Sequence, residues 1–302
     1  MTSTAGATTP DASPVKLWVM AARPKTLSAA FVPVMVGTAV VYSHGGFAPL
    51  VALAALVAAG LIQIGTNFAN DYFDFQSGAD NEDRLGPTRV TQAGLIAPKA
   101  VKRATALTFF LAFLVGLYLV YVGGWPIFVI GVASILSGVA YTGGPYPLGY
   151  HGLGDLFVFI FFGLVAVTAT YYVQASSWSS EALVASVPIG LLATAILVVN
   201  NYRDIETDEL AGKRTLAVRI GPRATRWQYG AMLLCAYAVP VVQWGWMGGS
   251  VGLLLPLLSL PVAVNLMRRV ARAKGAQLNE VLASTAKLLA IFGVLYAGGY
   301  LL

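Results

Sequence analysis

The chain has 302 residues, of which 57% are hydrophobic and only 11% are charged, and its formal net charge is +6 at pH 7. Soluble domains carry about 25% charged residues. This composition and a mean hydropathy of +0.73 therefore exclude an ordinary soluble protein and indicate an integral membrane protein. The single cysteine, Cys235, excludes a disulfide within the chain.

The first residues differ from the rest of the chain. Residues 1–14 are rich in Ser, Thr, Ala and Pro and contain one charged residue, Asp11. They lack the basic start and the apolar stretch of a signal peptide. We therefore predict a disordered tail at 1–14 and a single membrane domain at 15–302.

Apolar segments long enough to cross a bilayer recur along the whole domain. Transmembrane helices need roughly 17–25 predominantly apolar residues. By this criterion we predict an all-α integral membrane protein with nine transmembrane helices. Their approximate limits are 26–43, 48–74, 101–122, 124–142, 153–174, 182–203, 226–246, 249–270 and 283–302.

The charged residues fall on one side of this nine-helix arrangement. All 19 Lys and Arg residues lie on the side of the N-terminus, together with all of the 13 acidic residues except Glu181. Basic residues are enriched in cytoplasmic loops. The pattern predicts a cytoplasmic N-terminus and an outer C-terminus. Because the basic residues alternate with acidic ones, Gly and Pro, we do not expect a nucleic-acid partner.

The second predicted helix ends in a stripe of polar side chains. Asn67, Asn70, Asp71 and Asp74 are spaced i, i+3, i+4 and i+7, so one face of a helix would carry all four. Ionisable side chains at the edge of a bilayer core are costly and need partners. The stripe therefore indicates a site that binds a cation.

A similar stripe ends the sixth predicted helix. Asn201, Asp204 and Asp208 are spaced i, i+3 and i+7, and residues 200–204 resemble residues 70–74. This weak repeat suggests two related halves that face one site, with Mg²⁺ as the hard cation that carboxylates bind. Alternatively, each stripe is only the solvated end of a helix.

Three loops supply further polar and aromatic groups. The loops after the second and sixth helices contain Gly for close backbone approach and Lys or Arg for phosphate oxygens. The loop after the fourth helix contains Tyr141 and Tyr146, whose aromatic faces can stabilise a cation. The alternatives are basic anchors and an interfacial tyrosine belt. His151, with no second histidine nearby in the sequence, is a poor candidate for a metal ligand or an acid–base catalyst.

These features together fit the transfer of a lipid group. A lipid diphosphate would enter from the bilayer, with magnesium and basic residues stabilising the departing diphosphate. The remaining allylic carbocation would react with an acceptor in a dry cavity lined by aromatic side chains.

Several short motifs occur in a specific order and carry a resemblance to a known family. They are Ala22-Arg-Pro-Lys-Thr-Leu27, Asn70-Asp-Tyr-Phe-Asp74, Asp83-Arg-Leu-Gly-Pro87, Tyr141-Thr142, Gly152-Leu-Gly-Asp155, Asn200-Asn-Tyr-Arg-Asp-Ile205 and Thr215-Leu-Ala-Val-Arg219. Over nearly its whole length the chain resembles the UbiA superfamily of intramembrane prenyltransferases, and most closely the branch that acts on 1,4-dihydroxy-2-naphthoate. One departure is Gly78, which stands where the general pattern has Asp. The next acid is Asp80, whose role as a ligand this leaves open.

The resemblance implies a helical bundle with a central cavity open to the bilayer. It implies Mg²⁺-dependent transfer of a polyprenyl group from polyprenyl diphosphate to 1,4-dihydroxy-2-naphthoate, with release of diphosphate and CO₂, giving demethylmenaquinone in the cell membrane. The implied catalytic residues are Asp71, Asp74, Asp204 and Asp208, and Asn67 and Asn70 join them around the metal. The implied substrate-binding residues are Arg23, Lys25, Arg84, Arg89, Tyr141, Tyr146, Asp155, Arg203 and Lys213.

Two other functions remain open at this point. One is a transferase of the same superfamily with a different aromatic acceptor. The other is a secondary transporter, which also carries charged residues and internal repeats. A transporter would place its polar residues near the middle of the bilayer, whereas the sequence places them at the cytoplasmic ends of the predicted helices.

Overall fold

The structure is a computed structural model that describes residues 13–79 and 85–302. Within these ranges the chain is almost entirely helical and has no β-strand, which confirms the all-α prediction. The helices are α1 (Pro14–Ala22), α2 (Ser28–Ser43), α3 (Pro49–Gln76), α4 (Pro98–Gly123), α5 (Trp125–Ala140), α6 (Gly154–Val158), α7 (Ala166–Ala175), α8 (Ser180–Arg203), α9 (Ile205–Leu210), α10 (Leu216–Trp246), α11 (Leu260–Arg272) and α12 (Leu278–Tyr300). A π-helical segment, Phe159–Val165, joins α6 to α7, and a 3₁₀ segment, Val251–Ser259, leads into α11.

All nine predicted apolar segments are helical. Among the described residues, six helices are long and apolar enough to cross a membrane, and α1 with α2 forms a seventh candidate bent by 51°. The chain is therefore a multi-pass membrane protein. Helix α5 has only 16 residues, and α10 also lies outside this set, so nine crossings remain a prediction. The six helices are Pro49–Gln76, Pro98–Gly123, Gly154–Ala175, Ser180–Arg203, Val251–Arg272 and Gly275–Tyr300.

The first helix ends in a sharp bend that is important for the site. Helix α1 begins at Pro14, inside the predicted tail, and Ser13 caps it by accepting a hydrogen bond from the backbone N–H of Lys16. Arg23 ends the helix in the left-handed region, with φ of 51°. This conformation is unfavourable for a residue with a side chain, and it lies at the 51° bend between α1 and α2. The remainder of the predicted tail, residues 1–12, lies outside the described residues.

Helix α8 lies at the centre of the larger half of the bundle. It packs against α2, α10, α12 and the π-helical segment, and its buried side chains cover all faces of the helix. A helix that is apolar all round is expected in such a central position. The crossing with the π-helical segment is especially close, because Gly163 and Gly190 meet backbone to backbone. Small residues allow such close approach between membrane helices.

An apolar cavity lies in the other half of the bundle. Its volume is ≈ 330 Å³, and its walls come from α2, α3, α4, α5, the π-helical segment and α7. Helix α5 is loosely packed, since Ile127 is its only buried residue. The polar end of the cavity is formed by Gln63, Thr66, Asn67 and Asn70 of α3. The last two belong to the first predicted stripe.

The crossing at Gly163 gives a test of the bundle. We expect Gly163→Ala to destabilise the protein, because the added Cβ would lie 2.5 Å from the Cα of Gly190, a backbone atom that cannot turn away as a side chain can. An Ala for Gly exchange in a helix otherwise stabilises by about 1 kcal/mol. Gly245→Ala in α10, where no heavy atom lies within 4 Å of the new Cβ, is the matched control. Thermal unfolding in detergent should show a lower midpoint for Gly163→Ala alone, and an equal or higher midpoint would contradict the close crossing.

Candidate active site

The C-terminal end of α3 carries the first acidic stripe in a buried position. Asp71 is 1% exposed and Asp74 is 3% exposed, although both lie at the end of a long apolar helix. Asp71 Oδ1 is buried and accepts no hydrogen bond in the structure. A buried carboxylate oxygen without a donor is costly, so this atom indicates a position for a ligand. Nearby, the Asn70 side-chain oxygen accepts a hydrogen bond from Thr142 Oγ1 at 2.8 Å.

Asp74 is surrounded by donors from three different loops. Its Oδ2 accepts from Arg89 Nη2 at 3.3 Å, and its Oδ1 accepts from Lys213 Nζ at 3.2 Å and from the Tyr150 hydroxyl at 2.6 Å. Arg89 and Lys213 are both predicted site residues, separated by more than a hundred positions in the chain. Their convergence on Asp74 places two cations at the end of α3, as a diphosphate site requires.

Asn67 connects the end of α3 to the bend after α1. Its side-chain nitrogen donates to the carbonyl oxygen of Ala22 at 2.9 Å and to Thr26 Oγ1 at 3.1 Å. The same bend brings Arg23 to α3, where its Nη2 donates to the Asn67 carbonyl oxygen at 3.5 Å. Asn67 therefore has a structural role in addition to the predicted role near the metal. Lys25 lies in the same bend and is exposed.

The second acidic stripe is held by a buried arginine. Arg203, whose side chain is 0% exposed, donates from Nε and Nη2 to the two oxygens of Asp204 at 2.7 and 2.5 Å. It also donates to the side-chain oxygens of Asn200 at 2.9 Å and Asn279 at 2.7 Å. The guanidinium faces these protein oxygens and holds Asp204 in place, and the contact of Arg203 with diphosphate stays a prediction.

The second stripe is not one continuous helix. Helix α8 ends at Arg203, Asp204 is its C-cap with φ of −98° and ψ of 10°, and α9 begins at Ile205. The prediction that a single helical face carries Asn201, Asp204 and Asp208 is wrong in this respect. The backbone N–H of Asp208 still donates to the Asp204 carbonyl at 2.7 Å, so the two acids remain one turn apart.

The two stripes contain oxygen ligands that suit magnesium, but their side chains do not surround one common position. Among residues 13–79 and 85–302, no group of three or more His, Cys, Asp or Glu side chains is close enough to hold a metal ion. Mg²⁺ is commonly bound by one or two carboxylates together with substrate phosphates. The unpartnered Oδ1 of Asp71 and the carboxylates near it therefore fit a metal that is held jointly with a diphosphate.

The residues predicted to border the acceptor substrate differ in position: one lines the cavity, one is buried and one lies at the surface. Tyr141 lines the cavity beside Asn70. Asp155 is buried, with Oδ2 accepting from Gln228 Nε2 at 2.5 Å and Oδ1 lacking a partner. Tyr146 is 56% exposed and stacks on His151 with a centroid distance of 3.7 Å, which places it at the surface.

Two residues that contact the acids of the site were not predicted from the sequence. Tyr150 and Gln228 touch Asp74 and Asp155, respectively, yet neither belongs to a charged motif. Only the folded chain brings them to these acids, and the one sequence signal for Tyr150 is its place in the aromatic loop. Arg84 and Asp80, both considered above, lie outside the described residues.

The chain is similar to known proteins over most of its length. Residues 30–292 match the model of the UbiA prenyltransferase family. The 1,4-dihydroxy-2-naphthoate octaprenyltransferase of Escherichia coli (strain K12) is 41% identical over 275 residues, which cover 86% of this chain and 86% of that protein.

Two solved structures share the fold. A UbiA homolog from Aeropyrum pernix K1 has a TM-score of 0.69 at 15% identity, covering 88% of this chain and 96% of that one. A UbiA homolog from Archaeoglobus fulgidus, bound to DMAPP and Mg²⁺, has a TM-score of 0.62 at 14% identity, covering 92% of this chain and 98% of that one. The chain belongs to the UbiA prenyltransferase family.

Proposed function

We propose that the chain transfers a polyprenyl group from polyprenyl diphosphate to 1,4-dihydroxy-2-naphthoate, releasing diphosphate and CO₂ and forming demethylmenaquinone. The observation that carries this proposal is the apolar cavity whose polar end lies on α3, where the stripe of Asn67, Asn70, Asp71 and Asp74 meets two cations. The 41% identity to a protein named for this acceptor supports the choice within the family. A different aromatic acceptor is the alternative.

Two groups of residues would bind the diphosphate. Asp71, Asp74, Asp204 and Asp208, with the amide oxygens of Asn67 and Asn70, would hold Mg²⁺. The metal, when bound, neutralises charge on the departing diphosphate. Magnesium use is supported by the Archaeoglobus fulgidus homolog, which was solved with DMAPP and Mg²⁺.

The basic residues would contact the diphosphate oxygens directly. Arg89 and Lys213 already lie within ion-pair distance of Asp74, so a diphosphate bound there would meet two positioned donors. Donors that are fixed before the reaction lower the cost of stabilising charge in the transition state. Arg23, which the bend after α1 brings to α3, and Arg84 would complete this set.

The cavity would hold the prenyl chain and exclude water. From Asn70 to Ala55, both of which line the cavity, α3 rises by about 22 Å. The walls along this length are aliphatic and aromatic, so an allylic cation would form away from water that could consume it. Tyr141, at the polar end, would present its aromatic face to that cation.

The acceptor needs a cation for its carboxylate and a flat wall for its ring. Arg89 and Lys213 are the candidate cations. Tyr141 is the better supported wall because it lines the cavity, whereas Tyr146 stacks on His151 at the surface. Asp155, with a buried and unpartnered oxygen, would border the acceptor as well.

The two ends of the bundle support an orientation in the cell membrane. Helix α8 begins beside Glu181, which pairs with His44 at 2.7 Å, and it ends at Arg203 beside the acidic site. The basic loops lie at the latter end. By the positive-inside rule, the N-terminus and the active site would face the cytoplasm, and the C-terminus would lie at the outer face.

Asp71→Asn tests the metal site with the smallest change in shape. We expect turnover to fall by about a thousandfold or more, because an amide replaces a carboxylate ligand of Mg²⁺ and several kcal/mol of leaving-group stabilisation are lost. Prenyl transfer should be measured with the purified protein, Mg²⁺ and a polyprenyl diphosphate, with thermal unfolding to check the fold. Glu206→Gln, an exposed acid in α9, is the control and should keep wild-type turnover. Turnover above a tenth of the wild-type value in folded Asp71→Asn would exclude this role.

Asp204→Ala should also abolish turnover but is a poorer test, because it leaves Arg203 buried without its partner.

A panel of acceptors tests the choice of substrate. Purified protein supplied with Mg²⁺ and a polyprenyl diphosphate should prenylate 1,4-dihydroxy-2-naphthoate in preference to 4-hydroxybenzoate or homogentisate, with mass spectrometry identifying the product. The product should have lost the carboxyl group as CO₂. If one of the other acids reacted and the naphthoate did not, the acceptor would be wrong while the family membership would stand.

Site-directed labelling tests the orientation. In a Cys235→Ser background, a membrane-impermeant maleimide added to intact cells should label Ser177→Cys, between α7 and α8, and should not label Glu209→Cys in α9. Both positions are exposed, and they lie beyond opposite ends of α8. Glu209→Cys should react once the cells are opened. The reverse pattern in intact cells would show that the active site faces outward.

A further inference from the structure

Tyr150 connects the acid of α3 with two loops from other parts of the chain. Its hydroxyl donates to Asp74 Oδ1 at 2.6 Å and lies 3.0 Å from Ser77 Oγ, just beyond the end of α3. Its ring lies under Lys213, with Nζ 4.6 Å from the ring centroid. Its carbonyl oxygen accepts from the backbone N–H of Arg214 at 2.8 Å. One residue therefore contacts both the acid and the loop that carries a predicted phosphate-binding cation.

The local backbone holds Tyr150 in this position. The residue lies in a 3₁₀ turn, Leu148–His151, that ends at Gly152 with φ of 76°. Arg219 packs against that glycine, so close that a Cβ there would lie 2.9 Å from Arg219 Nε, and its Nη2 donates to the His151 carbonyl at 2.9 Å. Arg214 and Arg219 thus hold the turn in place through its backbone, and the hydrogen bond to Asp74 orients the Tyr150 ring.

The contacts of Lys213 show what the Tyr150 ring contributes to its position. A lysine ammonium is a point charge on a flexible stem, and it loses considerable side-chain entropy when held in one place. Here Nζ is fixed by Asp74 Oδ1 on one side and by the Tyr150 ring on another. A cation over an aromatic face is stabilised most where water is excluded, and the Lys213 side chain is 12% exposed.

We propose that Tyr150 is a positioning residue of the diphosphate site. Its hydroxyl fixes the Asp74 carboxylate, and its ring holds Lys213 beside that carboxylate, so that acid and cation are in place before the substrates arrive. The proposal rests on the proposed function, because it takes Asp74 and Lys213 as parts of the magnesium diphosphate site. It adds a residue that belongs to no charged motif and that acts through Asp74 and Lys213 rather than on the reacting atoms.

Two variants separate the hydroxyl from the ring. Tyr150→Phe removes only the hydroxyl, and Tyr150→Leu removes the platform for Lys213 as well. The probe is inorganic pyrophosphate with Mg²⁺, and the readout is protection of the purified protein against thermal unfolding in detergent. Titrating each component at a saturating level of the other gives separate midpoints for Mg²⁺ and pyrophosphate.

The two variants should differ in which midpoint moves. For Tyr150→Phe we expect the Mg²⁺ midpoint to rise about tenfold, since a hydrogen bond to a charged group is lost, with little change in the pyrophosphate midpoint. For Tyr150→Leu both midpoints should rise, because Lys213 is released too. Tyr121→Phe and Tyr121→Leu, at a tyrosine that is 88% exposed, are matched controls and should change neither midpoint.

The possible failures are distinguishable. If the wild-type protein is protected but the Tyr150→Phe and Tyr150→Leu midpoints equal the wild-type values, Tyr150 has no positioning role, whatever happens to their unfolding temperatures. If Tyr150→Leu does not fold, the Mg²⁺ midpoint of Tyr150→Phe decides the question alone. If pyrophosphate and Mg²⁺ do not protect even the wild-type protein, the diphosphate site itself is wrong, and the role of Tyr150 fails with it.

Discussion

Burial of acidic side chains at the ends of apolar helices is the constraint on which the structure of this site depends. A carboxylate removed from water must be paired or must bind a cation. Asp74 meets this need through Arg89, Lys213 and Tyr150, and Asp204 meets it through Arg203. The donors come from separate loops, so the same pairing that compensates the acids also joins those loops to the bundle. Asp71, with one unpartnered oxygen, is where this compensation is incomplete.

The two halves of the bundle differ in packing and in role. Around α8 the helices pack closely, down to backbone contact at Gly163 and Gly190, which gives a rigid frame behind the second acidic stripe. Beside α3 lies the cavity of ≈ 330 Å³, and α5, which forms one of its walls, has a single buried residue. Rigid placement suits charges that must be aligned before reaction, whereas an aliphatic prenyl chain requires only a dry space of sufficient length.

Much of the fold and part of the site were predictable from the sequence. The nine apolar segments are helical because an unbroken apolar run in a bilayer must satisfy its own backbone hydrogen bonds. The first stripe was predicted correctly as one face of a helix, since α3 continues to Gln76. The second was not, because α8 stops at Arg203 and Asp204 is held by the side chain before it. Local spacing carries no signal for that interruption.

By itself the sequence determined the class of the protein, the acidic stripes and the cations available to them, because these follow from composition, helical periodicity and motif order. Only the tertiary structure decided the pairing: that Arg203 is buried on Asp204, that Lys213 and Arg89 meet on Asp74, and that Tyr150 lies between Asp74 and Lys213. These contacts join residues up to 139 positions apart. Their geometry depends on how loops close over packed helices, and no periodicity along the chain encodes that closure.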